Sequence, residues 1–211
     1  PAVVARMIST IDDISGGRCG LNIVTGWNQA EYAQMGMWPG ESHYERRYEY
    51  ASEYLYILKE LWASGRCTLD GDFFKLDDCN MYPTPGREIP IVCAGQSPRG
   101  KQFVAELADH QFVMTPRSKL VTGVSDIKTR AKEMGRSVGI YWLCQMIVAN
   151  SDDDAVKLGE EIVTRADRGA ISNMIASANL DTNVEGTSDH LKAALEQNIE
   201  EGNMAFMSIP V

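Results

Sequence analysis

Short apolar runs that read as strands alternate with amphipathic helical stretches at least four times along this chain, and that alternation limits its fold more than any other feature. The strand-like runs fall at residues 20–26, 89–95, 110–114 and 140–148. Strand, helix and next strand form the repeating unit of a parallel sheet covered by helices. The pattern alone leaves an open doubly wound sheet and a closed barrel both standing. No G-x-G-x-x-G follows a strand: Gly16, Gly17 and Gly20 have the wrong spacing and precede one, which speaks against a dinucleotide-binding unit. There is no internal repeat or low-complexity segment.

The clearest helix is expected over 42–64. Pro39-Gly40 breaks the chain, Ser42 and Glu45 have the spacing of a capping box, and Tyr44, Tyr48, Ala51, Leu55, Leu58 and Trp62 recur at steps of four and three. Gly65 is placed to end it. The stretch TLDGDFFKL then reads as a hairpin turning at Asp70-Gly71, so that about 66–84 forms an insertion in the main fold. In IPIVCAGQSP, residues 89–98, a buried strand passes through a tight turn into a helix with Ser97 as N-cap and Pro98 at its first position. A helix marked by Leu120, Val124, Ile127, Ala131 and Met134 should stop at Gly135, and Asp152, Asp153 and Asp154 suit the first turn of another. A last helix is expected at about 188–201.

With 29 acidic against 20 basic residues, the net charge of −9 argues against nucleic acid or an anionic membrane as partner. No run of eighteen apolar residues and no secretory leader appears, so the chain reads as soluble and cytoplasmic. Five scattered cysteines (Cys19, Cys67, Cys79, Cys93 and Cys144), never spaced C-x-x-C, fit reduced structural thiols. The chain starts at Pro1 and stops on the apolar run Phe206–Val211, from which a segment of a longer protein is expected.

Ligands of parallel α/β folds lie at the carboxyl ends of the strands, and two such ends are chemically loaded. At the first, Asn22 interrupts Leu21-x-Ile23-Val24, so its amide is expected to be buried and in need of a partner, either backbone or the polar edge of a heterocyclic ligand. At the second, AGQSPRG presents backbone N–H groups, the Ser97 hydroxyl and Arg99 at a helix N-terminus, which suits a phosphate; the same residues also make an ordinary N-cap. Arg46, Arg47 and Tyr48 sit just inside the long helix, as a solvated charged face or within reach of a phosphate. His43, His110 and His190 lack metal-ligand spacing and read as structural, and no nucleophile motif occurs. A phosphate cradle without a protein nucleophile points to a cofactor that carries the chemistry.

The run from Ala5 to Trp62, containing NIVTGW, MGMWPG and RRY, together with the later CAGQS, resembles the bacterial-luciferase-like flavin monooxygenases and within them the pyrimidine oxygenase branch. The resemblance implies a TIM (β/α)8-type barrel, here incomplete: its N-terminal βα units and closing strand and helix are missing, and 1–211 forms a single partial barrel domain. It implies a monooxygenase that takes reduced FMN from a separate flavin reductase, uses molecular oxygen and cleaves an amide C–N bond of a pyrimidine such as uracil. A relative acting on a sulfur compound of the alkanesulfonate type and a non-catalytic flavin-binding protein are the alternatives. A small-molecule substrate, no metal and a homo-oligomeric assembly are also implied. By motif position the FMN contacts fall on Asn22, Glu31, Arg47, Tyr48 and Ser97. Trp27, Met35 and Met37 would wall the pocket against water.

Overall fold

The computed structural model describes residues 1–26, 29–114, 117–143 and 146–178. In chain order its elements are α1 (Ala2–Ser15), β1 (Leu21–Ile23), α2 (Gln29–Ala33), α3 (Glu41–Glu45), α4 (Arg47–Ser64), β2 (Arg66–Asp70) and β3 (Lys75–Asn80). Then follow β4 (Ile91–Cys93), α5 (Pro98–Leu107), β5 (His110–Val113), α6 (Arg117–Glu133), β6 (Gly139–Trp142), α7 (Asp152–Thr164) and α8 (Arg168–Ala178). The expected helix at 188–201, His190 and Cys144 lie outside the described residues. The chain divides into two compact units, one of residues 1–26, 39–113 and 121–141, the other of 27–38, 114–120 and 142–211.

The first unit contains a four-stranded sheet in the order β1-β4-β5-β6, in which β1, β4 and β5 run parallel. Leu21 lies beside Ile91, Asn22 beside Val92 and Ile23 beside Cys93, while Val92 neighbours His110. Because side chains alternate across a strand, Ile91 and Cys93 point into the core under α4 and α5, whereas Asn22, Val92 and His110 share the other face. The strands are shorter than the apolar runs that announce them. Residues 20–26 yield only three ladder residues, and Asn22 is exposed on the open face rather than buried, so its amide carries no burial penalty.

All six residues of the expected stripe, Tyr44 through Trp62, are buried, and Ile57 and Leu61 join them. The wider buried surface arises because α1 packs on one side of α4 and α5 on another. Trp62 Nε1 donates to the Ala5 carbonyl at 3.1 Å, which fastens α1 to α4 through a helix that periodicity did not reveal. The capping box is not formed. The cap of α3 is Gly40, at φ 93° and without a side-chain bond, and the expected single helix breaks at Arg46 into α3 and α4. Gly65 ends α4 in the left-handed conformation, φ 76°, as its position predicts.

Strands β2 and β3 form a separate antiparallel pair. Its turn is not an Asp70-Gly71 positive-φ pair: neither residue has positive φ, and Gly71 N–H closes a longer loop by donating to Phe74 O at 2.9 Å. Glu53 of α4 secures that loop, its carboxylate accepting from the backbone N–H groups of Asp72 (2.8 Å), Phe73 (3.0 Å) and Phe74 (3.1 Å). In the second unit α7 starts with the expected three aspartates in its first turn, and Ser151 is its N-cap, accepting from Asp154 N–H. No described helix is long and apolar enough to cross a membrane.

One buried ion pair closes the amino-terminal part of the first unit. Arg87 Nη2 donates to Asp12 Oδ1 and to Cys19 O, both at 2.6 Å, with the Asp12 side chain 6% and the Arg87 side chain 34% exposed. Removing the guanidinium strands a buried carboxylate, a change that typically costs about 3–5 kcal/mol. We expect Arg87→Met to fall near the lower end, since Arg87 is partly solvated, and Arg6→Met on the exposed side of α1 to cost under about 1 kcal/mol, as surface changes usually do. Urea unfolding of the two variants checks the difference.

Candidate functional site

At the carboxyl end of β4 the chain turns into α5 through Ala94-Gly95-Gln96-Ser97. Ser97 is the N-cap: its Oγ accepts from Gly100 N–H at 3.1 Å, and Pro98 follows at the first helical position. The turn is packed to backbone contact. A methyl group on Gly95 would meet Gly100 Cα at 2.7 Å, and one on Gly100 would meet Tyr48 Oη at 2.6 Å. The buried Gln111 of β5 fixes the turn from beneath, its Nε2 donating to Gly95 O at 2.7 Å.

Tyr48 thus brings the first turn of α4 against the first turn of α5, and two helix N-termini with their partial positive charge meet at one place. Two guanidiniums gather on its ring, Arg47 at 5.0 Å and Arg99 at 5.6 Å from the centroid. Arg47 is further held over the Tyr44 ring at 4.3 Å and donates to Tyr44 O at 3.0 Å. Arg99 pairs with Glu49 at 3.2 Å, both half-exposed. Phe103 packs at 5.4 Å from Tyr48 and seats its ring in the core.

The donors left over define what the cradle can hold. Ser97 Oγ is used as an acceptor, so its own O–H remains to donate. Tyr48 Oη has no hydrogen-bond partner among the described residues. In the first turn of α5, Pro98 has no N–H, Gly100 N–H is capped and Lys101 N–H bonds Ser97 O, which leaves the Arg99 N–H free among the described residues. Two hydroxyls, a helix N-terminus and two nearby cations suit a phosphate monoester. No group of metal-binding side chains occurs among the described residues.

Of the five expected contact residues, Arg47, Tyr48 and Ser97 therefore come together. Asn22 belongs to the same unit, on the open sheet face; its amide has no partner among the described residues. Glu31 lies in the first turn of α2, within the other unit. Met35 and Met37 are well exposed in that unit, and Trp27 lies outside the described residues. Gln111 interrupts the short apolar run 110–114 as Asn22 interrupts its own, and it is Gln111 whose amide is buried and partnered. His110, read as structural, stacks on Tyr141 at 4.7 Å, yet its buried Nδ1 has no partner among the described residues. It leaves an unmet hydrogen-bonding group on the face that carries Asn22.

A family profile described as luciferase-like monooxygenase matches residues 1–206. The chain is 45% identical over 188 residues to the pyrimidine monooxygenase RutA of Pantoea ananatis, and 45% over 186 residues to that of Acinetobacter baylyi. Each alignment covers 86% of this chain but 51% and 50% of the relative, so the chain spans about half the length of the curated relatives it matches. Among solved structures, a riboflavin lyase with modified FMN and riboflavin superposes with a TM-score of 0.75 at 22% identity, over 88% of this chain and 46% of that one. That likeness shows the fold: an α/β arrangement of parallel strands and covering helices.

Cys93, the last residue of β4 before the cradle, faces the core, and burial pushes its thiol up to about 12. It is thus a poor nucleophile at neutral pH. An unfolded thiol titrates near 9, so between pH 9 and 12 the unfolded chain releases a proton that the native chain retains, and stability falls by about 1.4 kcal/mol per pH unit from this group. Burial raises Tyr50 and Tyr54 as well, with the same sign at higher pH. We expect urea unfolding from pH 8 to 10.5 to show a decline that is shallower in Cys93→Ala.

Proposed function

Because the chain belongs to the luciferase-like monooxygenase family, we propose that it forms part of a TIM-type barrel, a single domain with a hairpin insertion at about 66–84, that binds FMN and acts as a reduced-FMN-dependent monooxygenase. Reduced FMN, when bound, supplies the electrons with which molecular oxygen is activated. The proposed reaction is oxidative cleavage of an amide C–N bond in a pyrimidine such as uracil, with FMN reduced by a separate reductase and the protein working as a homo-oligomer in the cytoplasm. The relatives named for pyrimidine oxidation, matched over 86% of this chain, support that substrate class.

The observation that carries the cofactor assignment is the surplus of donors around Tyr48 and Ser97. In this reading both hydroxyls donate to phosphate oxygens. The Arg99 N–H adds a backbone donor, and Arg47 and Arg99 neutralise the dianion. Asn22, with an exposed amide that can both donate and accept, is assigned to the polar edge of the ring system, and Glu31 to orienting a donor. Neither hydroxyl is paired with a general base among the described residues, which agrees with a division in which the protein binds and orients while the flavin carries the redox chemistry.

Substitution at Ser97 separates a phosphate cradle from a plain N-cap. In the natural protein carrying this chain, Ser97→Asp keeps a competent cap but adds a negative charge, and Ser97→Ala loses the cap at about 1 kcal/mol. For a cradle, Ser97→Asp should melt near wild type yet lose FMN affinity far more than Ser97→Ala, because two like charges meet in a partly desolvated site. Wild-type FMN affinity in Ser97→Asp would remove the assignment. For the substrate, we expect oxygen-dependent consumption of uracil in the presence of FMN and a reductase; consumption of an alkanesulfonate in its place would move the protein to the sulfonate branch.

A further inference from the structure

We propose that the tip of the β2–β3 hairpin positions the phosphate cradle, by bridging the helix break at Arg46 and so holding Arg47 and Tyr48 against α5. The inference rests on the phosphate reading of the cradle. The break itself is plain: Arg46 leaves helical geometry at φ −95°, ψ 15°, ending α3 and preceding α4. A junction of this kind is free to hinge unless something ties its two sides together.

Phe73 does so. Its ring meets His43 of α3 edge-on at 5.8 Å and Tyr50 of α4 edge-on at 5.5 Å, and His43 and Tyr50 meet each other at 4.8 Å. Between them the Arg46 guanidinium lies over the Phe73 ring, 4.7 Å from its centroid, and pairs with Asp72 at 2.5 Å. Residues 43, 46 and 50 are spaced three and four apart, so they line one face across the break, and Phe73 covers it. Residues 44, 47 and 48 line the adjacent face, where Arg47 and Tyr48 enter the cradle.

The consecutive arginines thus face different ways, Arg46 to the hairpin and Arg47 to the cradle, and fixing the first orients the second. Phe73 is itself immobilised from behind, because Glu53 accepts the N–H groups of Asp72, Phe73 and Phe74 and leaves no room for a side chain at Gly71. An exposed ion pair such as Arg46–Asp72 contributes little alone, about 0–1 kcal/mol. Joined to the aromatic contacts and to a turn clamped by three hydrogen bonds, it acts as part of a network with one geometry. Phe73, Asp72 and Arg46 are positioning residues; none touches the cradle.

The ratio of riboflavin to FMN dissociation constants tests this, since the two ligands differ only in the phosphate. In the natural protein carrying this chain, Phe73→Ala and Asp72→Asn should each lower that ratio, Phe73→Ala by about 10-fold, the order expected when a charge-assisted hydrogen bond loses alignment. Riboflavin affinity should stay unchanged, and Phe73→Trp should restore the ratio. Lys75→Ala, which breaks the exposed pair with Asp70 in the same hairpin, should leave it at wild type. Asp72→Asn removes no packing and keeps the test decisive should Phe73→Ala fail to fold. A wild-type preference for FMN that survives in the variants overturns the positioning role alone. Equal wild-type affinity for FMN and riboflavin overturns the phosphate reading and this inference with it.

Discussion

The contact between Gly95 and Gly100 is the constraint on which the candidate site depends. Only when the end of β4 and the first turn of α5 approach to backbone distance does the space above them fit a tyrosine hydroxyl, and Tyr48 occupies it. A side chain at either glycine would push the helix off the strand or the tyrosine off the helix. The same approach turns the N-terminus of α5 toward the carboxyl end of the parallel sheet, where the strands of such folds leave a crevice. Gln111 completes the arrangement by satisfying the Gly95 carbonyl, which packing this tight would otherwise leave without a donor.

Helix α4 serves three neighbours at once. Its buried stripe fills the core against the sheet, Trp62 fastens α1, and its first turn delivers Arg47 and Tyr48 to α5. Glu53 reaches the other way and clamps the hairpin turn. A helix held on so many sides has little freedom to rotate. Rotation by one residue would move a Leu55 or Leu58 into water, at about 1.5–3 kcal/mol each, while pulling Tyr48 from Gly100. Core packing and site geometry are therefore the same constraint seen from two ends of one helix.

What could be read from the sequence follows the range of the forces involved. The stripe of α4, the N-cap Ser97, the acidic first turn at Asp152–Asp154 and the stop at Gly65 are written in residues a few positions apart, and each is found where its spacing puts it. The break at Arg46 has no mark in the local spacing, and the aromatic contacts that span it come from Phe73 in the hairpin. Asn22 failed for a related reason. An amide between apolar residues signals burial only if both faces of the strand are covered, and β1 has an open face. Of the site, Arg47, Tyr48 and Ser97 were recognisable from motifs. Gln111, Glu53 and the fit of Gly100 against Tyr48 depend on contacts across 16 to 52 residues of sequence, as between Gln111 and Gly95 or Gly100 and Tyr48.

An overall charge of −9 looks ill suited to binding a dianion, and Arg99 shows how the conflict is met locally. Its partner Glu49 holds the guanidinium beside the Tyr48 ring, so the cation stands close to the cradle before any ligand arrives. Both members are half-exposed, where solvent screening keeps the pair worth no more than about 1 kcal/mol. A phosphate can therefore draw Arg99 from Glu49 at small cost, exchanging a screened single charge for a dianion among aligned donors. Arg47, bound among the described residues to a carbonyl and two aromatic faces, has no carboxylate partner there to give up. The acidic surface thus keeps its long-range field, which falls off within about 8 Å at physiological salt, while two guanidiniums and two helix N-termini set the potential at contact distance.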